Sequence, residues 1–266
     1  SKKKTDRRDS EILVDLLRTG FLPTAHVPSK EGRELRELTR LRDDLVKQGV
    51  QCKNRIHRLL ERTWTQLPSV TDLFGKTGRA FLNKVNVEPT HRFALDVLLQ
   101  QLDAIKGLQA RLDAKIAGRV KDNPEVDLLL GIDGLSVIGA ATLHAEFDNV
   151  SRFPNRGAIR SNFGIVPSVR DSADTQRRGH ITKQGSGQVR KILVQGSLHF
   201  VHGNPKAGRK HAKISKRNKG VAKVAAAADL LNVAYQVLKT RTPYRYADAR
   251  RQERKRTELR LLAAQG

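Results

Sequence analysis

Three stretches hold the residues whose types and spacing could do chemistry. In Lys4-Thr5-Asp6-Arg7-Arg8-Asp9 the two acids stand three apart, so on a helix both carboxylates leave from one face. Asp6 and Asp9, joined by acids from elsewhere, would suit hydrated Mg²⁺ in phosphoryl transfer. Alone, a capping Asp beside a solvated one explains the pair better. The second stretch runs from Pro167 to Lys191, where six Lys or Arg (Arg170, Arg177, Arg178, Lys183, Arg190, Lys191) and two Asp surround several hydroxyls and glycines. Those cations suit a transferring phosphate, and a hydroxyl beside them is a candidate nucleophile. Spacing does not choose among Ser168, Ser172, Thr182 and Ser186. The third is Leu129 to Ala141, in which Gly131 and Gly134 lie between two apolar runs. It reads as a helix-hairpin-helix, whose glycines would bring backbone N–H groups to a phosphate, with a tight turn between packed helices as the lesser alternative.

Positioning these stretches is mostly the work of helices. Residues 6–19 predict a short helix with Ile12, Leu13, Leu16 and Leu17 on one side and Gly20 as its stop. From Glu31 to about Thr65, Leu35, Leu38, Leu45, Cys52, Ile56 and Leu59 fit steps of three and four. From Pro89 to Lys121, Leu95, Leu98, Leu102, Ile105, Leu112 and Ile116 make a heptad seam. Two such helices joined by a loop predict an antiparallel arm. Past Asn123-Pro124 come glycine-rich turns and shorter apolar runs. The 167–191 stretch reads as an exposed loop that enters a helix near Gly187. Residues 206–219 carry seven Lys or Arg and no acid and read as a mobile loop or helix start that meets phosphate. A helix over 221–238 follows, then a basic, loosely attached helix over 241–266. The domains expected are 1–28, an arm over 29–123, a functional domain over 124–240 and a tail over 241–266.

Composition narrows the partners. There are 51 Lys plus Arg against 27 Asp plus Glu in 266 residues, a formal charge of +24, which points to a phosphate backbone. No apolar run is read as reaching bilayer length, so no membrane partner is expected. Aromatic residues are only 5%, too few for platforms that stack single strands. Cys52 is the single cysteine, which excludes an internal disulfide and predicts a reducing, cytoplasmic setting. The eight His include no pair four apart, and there is no Gly-x-x-x-x-Gly-Lys-[Ser/Thr], so neither a His metal site nor ATP-driven action is expected. Methionine is absent, and the chain is read as a fragment that begins within a longer protein.

In this order the motifs resemble the DEDD-type transposases of bacterial insertion sequences, the insertion sequence 110 family, which also takes in the Piv-type DNA invertases. The likeness rests on Lys4-Thr5-Asp6-Arg7-Arg8-Asp9; on Lys53-Asn54-Arg55-Ile56; on Gly131 to Glu146 with Arg152-Phe153; and on Gly164-x-x-Pro167 through Ser172, Arg178-Gly179, Ile181-Thr182-Lys183, Gly185 and Arg190. It implies a mainly α chain with a minor α/β part: the C-terminal remnant of a RuvC-like (RNase H-like) domain, a coiled-coil arm, and a mostly helical transposase domain with a helix-hairpin-helix-like element. It implies that Asp6 and Asp9 are the last two acids of an Asp-Glu-Asp-Asp set that binds Mg²⁺, the first two lying upstream, so that this fragment would not cleave DNA alone. It also implies that Ser172 is the nucleophile, with Ala173 and Ser186 standing where Gly and Asn are common. The partners implied are double-stranded DNA, a noncoding guide RNA and further copies of the chain, in the bacterial cytoplasm at the nucleoid. The competing reading is a non-catalytic helix-hairpin-helix nucleic-acid-binding protein, and a third is a basic RNA-packing protein.

Overall fold

The computed structural model describes residues 5–22, 26–172 and 175–266, with the side chains of 169–172 and 175–178 outside the described set. Helix α1 (Asp6–Arg18) buries none of its residues, leaving Ile12, Leu13, Val14 and Leu17 more than half uncovered. Helices α2 (Lys30–Arg62) and α4 (Pro89–Val120) are 33 and 32 residues long, roughly 50 Å each at 1.5 Å per residue. They run antiparallel. Arg119 pairs with Glu34 and Arg42 with Asp113, and further along the Cys52 Sγ donates to the Leu98 carbonyl. The two long helices expected from the spacing are therefore antiparallel partners.

Its apolar seam follows the spacing in sequence, since Leu35, Leu45, Cys52, Ile56 and Leu59 are buried on α2 and Leu95, Leu102, Ile105 and Ile116 on α4. Near the loop end of the arm, α3 (Lys76–Lys84) lays Leu82 into a separate small core with Ile56, Leu60, Leu95 and Leu99. Burial there pushes the Cys52 thiol up from its ordinary value, which keeps it unreactive.

The larger core begins at the other end of the arm, where Ile116 and Val120 join α5 (Pro124–Leu130), α6 (Val137–Phe147) and α7 (Arg156–Asn162). Strands β1 (Pro167–Ser172) and β2 (Thr175–Ile181) pair antiparallel. Then follow α8 (Gly187–Gly203), α9 (Pro205–Ser215), α10 (Lys219–Thr240) and α11 (Ala249–Ala263). Local chemistry sets these boundaries. Asn123, Ser136, Asn155, Ser186, Asn204, Asn218 and Asp248 each accept a hydrogen bond from a first-turn N–H, and Pro124 and Pro205 stand where a helix needs no donor.

Three expectations need correction. Residues 167–172 and 175–181 are paired antiparallel strands rather than loop, because their polar character does not stop the backbone groups from pairing across the two strands. Of the two readings of 206–219, mobile loop or helix start, the helix holds, as α9 and its turn into α10. The C-terminal segment is no loose tail. Helix α11 packs on α4, α5 and α6, its Leu259 is buried, and its Arg256 forms a two-pronged pair with Asp127 at 2.6 and 2.7 Å. Helix α10 is by length and composition apolar enough to cross a bilayer, contrary to the reading of the sequence. Its apolar side, including Leu230, Leu231, Ala234 and Tyr235, is buried in the larger core instead.

Candidate functional site

The hairpin stands on a rigid base. Gly164 and Gly185 have φ of +62° and +66°, and they back onto one another's strands. A Cβ on Gly164 would overlap the Gln184 backbone, and one on Gly185 the Asn162 carbonyl. Only glycine tolerates both that geometry and that approach. The Thr182 N–H donates to the Val166 carbonyl and the Lys183 N–H to the Gly164 carbonyl. Arg190, in the first turn of α8, donates to the Phe163 carbonyl at 3.1 Å and the Gly185 carbonyl at 3.2 Å, and also to Gln184. One guanidinium thus ties the strand β2 exit to the α7 exit. Beneath lie Phe147, Phe153 and Phe163 in mutual ring contact, with the Arg152 guanidinium 4.0 Å from the Phe153 ring centre.

Rising from this base, β1 carries Ser172 as its last residue, paired in register with Thr175, while Pro167 pairs with Ile181. Gly179 and His180 together oppose Ser168, a bulge that bends the ribbon. Ser172 therefore sits five residues along β1 from the base, roughly 17 Å at the usual strand rise. The side chains of Ser172, Arg170, Arg177 and Arg178 lie outside the described residues. Of the other three hydroxyls, that of Ser168 is half-buried beside Gly179, that of Thr182 is buried at the base with no hydrogen-bond partner among the described residues, and that of Ser186 accepts from the Val189 N–H as the cap of α8. Lys183 is exposed, with a φ of +57°.

Several residues expected to meet phosphate have partners inside the chain. Lys191 reaches across to the arm and pairs with the buried Asp43 at 2.6 Å. Burial pushes the Asp43 carboxyl up, but Lys191 and Lys47 outweigh it and hold it below its ordinary value. Gln188, one turn earlier, donates to the Thr39 carbonyl. Gly134, at φ +88°, lies against Gly196 of α8 so closely that a Cβ on either would overlap the other's carbonyl oxygen. Gly131 is buried against Gln252 of α11, and Lys255 donates to the Leu130 and Ile132 carbonyls. The structure gives this hairpin a packing role.

Asp6 and Asp9 fall in the first turn of α1, three apart. Neither forms an ion pair among the described residues, and their oxygen donors are of the kind a hard cation takes. They are only two, and the described residues contain no cluster of three or more metal-ligating side chains.

A feature with no local signal in the sequence joins the stretch that follows α1 to the larger core. Asp148, at φ +54° after α6, accepts from the Ser29 N–H at 3.2 Å and the Ser29 hydroxyl at 2.6 Å, and lies 2.9 Å from His26 Nε2. Burial pushes its carboxyl up, yet the Ser29 and His26 contacts win and hold it below the ordinary carboxylate value. It borders a cleft of about 330 Å³ with Gly32, Arg119, Asn123 and His144. The polar groups there are spent on one another: His144 lies 3.1 Å from Glu125, and Asp148 is taken by Ser29. Glu146 closes the same junction, its side chain pairing with Arg40 at 2.9 Å and its carbonyl accepting from Arg36.

Comparison with known proteins covers both ends of this arrangement. A model of the transposase IS116/IS110/IS902 family matches residues 126–212, which take in the hairpin and α8, and a transposase model of the DEDD IS110 type matches residues 1–65. The chain is similar to the transposase-named protein y4qE of Sinorhizobium fredii, at 25% identity over 90% of this chain and 59% of the relative. It is similar to a family 20 transposase of Pseudomonas aeruginosa, at 24% over 91% of this chain and 74% of the relative. It is also similar to the transposase for insertion sequence element IS1111A of Coxiella burnetii, at 22% over 91% and 68%. The chain spans about three fifths of the length of y4qE. On the two tandem matches and the relatives that run alongside them, the chain belongs to the IS116/IS110/IS902 family of transposases.

Proposed function

We propose that this chain is the arm and serine-hairpin portion of a DNA transposase that breaks and rejoins strands through Ser172. The observation that supports the reading is the pair of strands: Ser172 is set at the far end of β1 from a base fixed by Gly164, Gly185 and Arg190, whereas the Thr182 hydroxyl is buried at that base and the Ser186 hydroxyl caps α8. In the reaction the Ser172 Oγ attacks a phosphodiester phosphorus. An O–P bond forms to the serine, one P–O bond to deoxyribose breaks, the serine proton passes to solvent or a base, and the leaving oxygen takes a proton. Arg170, Arg177, Arg178 and Lys183 on the same hairpin steady the phosphate charge. Asp6 and Asp9 would hold Mg²⁺ only together with acids from another segment, and when bound it would supply positive charge to the transferring phosphate.

The two acids of α1 and the serine hairpin belong to different ends of the arm's sequence, and the uncovered apolar side of α1 suits packing against the rest of a RuvC-like domain. Meeting of the halves across two copies of the chain gives the arm its use. A guide RNA that pairs with DNA would leave the protein to hold backbone and shape, which the scattered charge suits. The non-catalytic helix-hairpin-helix alternative loses ground, because Gly131 and Gly134 are engaged by α11 and α8.

The test uses the full-length protein with Mg²⁺, RNA transcribed from the parent element and end-labelled duplex of the element end. A protein–DNA adduct that needs Mg²⁺ is expected from the unaltered protein and from Ser168→Ala. It should vanish with Ser172→Ala. Persistence of the adduct in Ser172→Ala rejects the assignment.

A further inference from the structure

We propose that the exposed face of α9 and its turn into α10 is a second clamp for duplex DNA, gripping phosphates away from the bond that Ser172 attacks; this rests on the reading of the chain as a DNA-acting transposase. Lys206, Arg209 and Lys213 follow steps of three and four along α9 and so share one face. Lys216 and Arg217 continue the charge through the turn, and Lys219 opens α10. All six are exposed. Among the described residues only Lys210 of this stretch is neutralised, by Asp229 at 2.8 Å. Three cations about 5 Å apart along one helix face present a row of donors to a phosphate backbone.

The face is presented rigidly. On its opposite side Ala207 is buried, and Gly208 sits so close to the Val201 carbonyl that a Cβ would lie 2.9 Å from the oxygen. Asn204 both caps α9 and donates to the Tyr244 hydroxyl at 2.6 Å. The helix therefore behaves as part of the core and not as a tethered basic arm. The base of the serine hairpin joins α8 at its first residue and α9 leaves from its last. That helix is 17 residues long, which puts the two about 25 Å apart, most of a duplex turn. A contact on α9 thus falls on flanking phosphates.

The side chains also choose the partner. Lys and Arg only donate, which suits the acceptor oxygens of a phosphate backbone. No Phe, Tyr or Trp lies within 205–219 to stack an unpaired base, and His211 is half-buried. A duplex held by its backbone fits better than an unpaired strand, and the transposase reading makes that duplex DNA.

The test measures affinity of the full-length protein over a salt series for three duplexes of equal length: the element end, an unrelated DNA, and RNA of the element-end sequence. The variant combines Lys206→Gln, Arg209→Gln, Lys213→Gln and Arg217→Gln, with Lys210→Gln as a control. The fourfold variant should flatten the slope of log affinity against log salt by about 3 to 4, equally on both DNAs, and Lys210→Gln should leave it nearly unchanged. A second measurement needs no variant: acetylation of the unaltered protein should be blocked by duplex DNA at Lys206 and Lys213 and not at Lys210. An unchanged slope, a loss confined to the element sequence or to the RNA, or equal labelling with and without DNA would overturn the clamp. If the unaltered protein binds DNA and the variant matches it, only the clamp falls. If the unaltered protein binds no DNA, the transposase reading falls with it.

Discussion

Gly134 carries two constraints at once, a φ of +88° and a backbone face pressed against the Gly196 carbonyl. An alanine there must adopt a left-handed backbone and also push α8 away, for a combined cost of about 3 kcal/mol. Gly134→Ala should lower the urea midpoint accordingly and weaken DNA binding no more than its unfolding explains. A DNA-binding loss in a fully stable Gly134→Ala would return this hairpin to the surface as a phosphate contact. The sequence announced that the position was special and left its purpose open between turn and ligand approach. What decides is Gly196, which lies 62 residues further on and has no visible link to it in the chain. The same holds for Lys191 and Arg190. As letters they are two cations in a basic stretch, and in space one neutralises Asp43 on the arm while the other satisfies three carbonyls at the hairpin base.

At the level of elements, the arm was legible because two long helices bury a continuous apolar stripe, and periodicity records such a stripe directly. The interruptions at Thr39 and Asp43 were harder to place. Both are buried, and both meet α8 through Gln188 and Lys191, so this end of α2 serves two neighbours. Asp148 is the counterpart at the start of α2, where it fixes the stretch between α1 and the arm to the larger core. Its folded carboxyl sits below the ordinary value, so the stabilisation it gives is complete above that value and is lost as pH falls through the folded one. Asp148→Asn should cost about 1 to 2 kcal/mol at pH 7, with the gap from the unaltered protein closing below about pH 4. Urea unfolding at pH 7, 4 and 3 checks this, and a gap constant across the series would remove Asp148 from the account.

Over the whole molecule, a formal charge of +24 on 266 residues dictates how binding responds to ions. With six to ten phosphates neutralised, affinity for an unrelated duplex should drop by about 10³ to 10⁵ between 50 and 200 mM salt. Fluorescence anisotropy on a labelled duplex measures it, and a flat titration would show that the charge serves something other than a phosphate backbone. The excess is not spread evenly in its use. Arg36, Arg42, Arg256 and Lys191 are tied to carboxylates or carbonyls that join the arm, the core and α11, while the α9 face keeps its cations open to solvent.

The sequence by itself determined the helical class, the long arm, the basic character and the family, because periodicity, charge and motif order are properties of neighbours along a chain. It also determined which stretch to suspect, Pro167–Lys191, and the resemblance singled out Ser172 within it. Only the tertiary structure decided that this stretch is a paired ribbon on a glycine-fitted base, that the C-terminal segment is part of the core, and which cations are spent internally. Those outcomes depend on partners such as Gly134 and Gly196, Asp43 and Lys191, or Ser29 and Asp148. Their interaction energy arises from contacts between residues 62 to 148 positions apart, a distance over which local patterning carries no information.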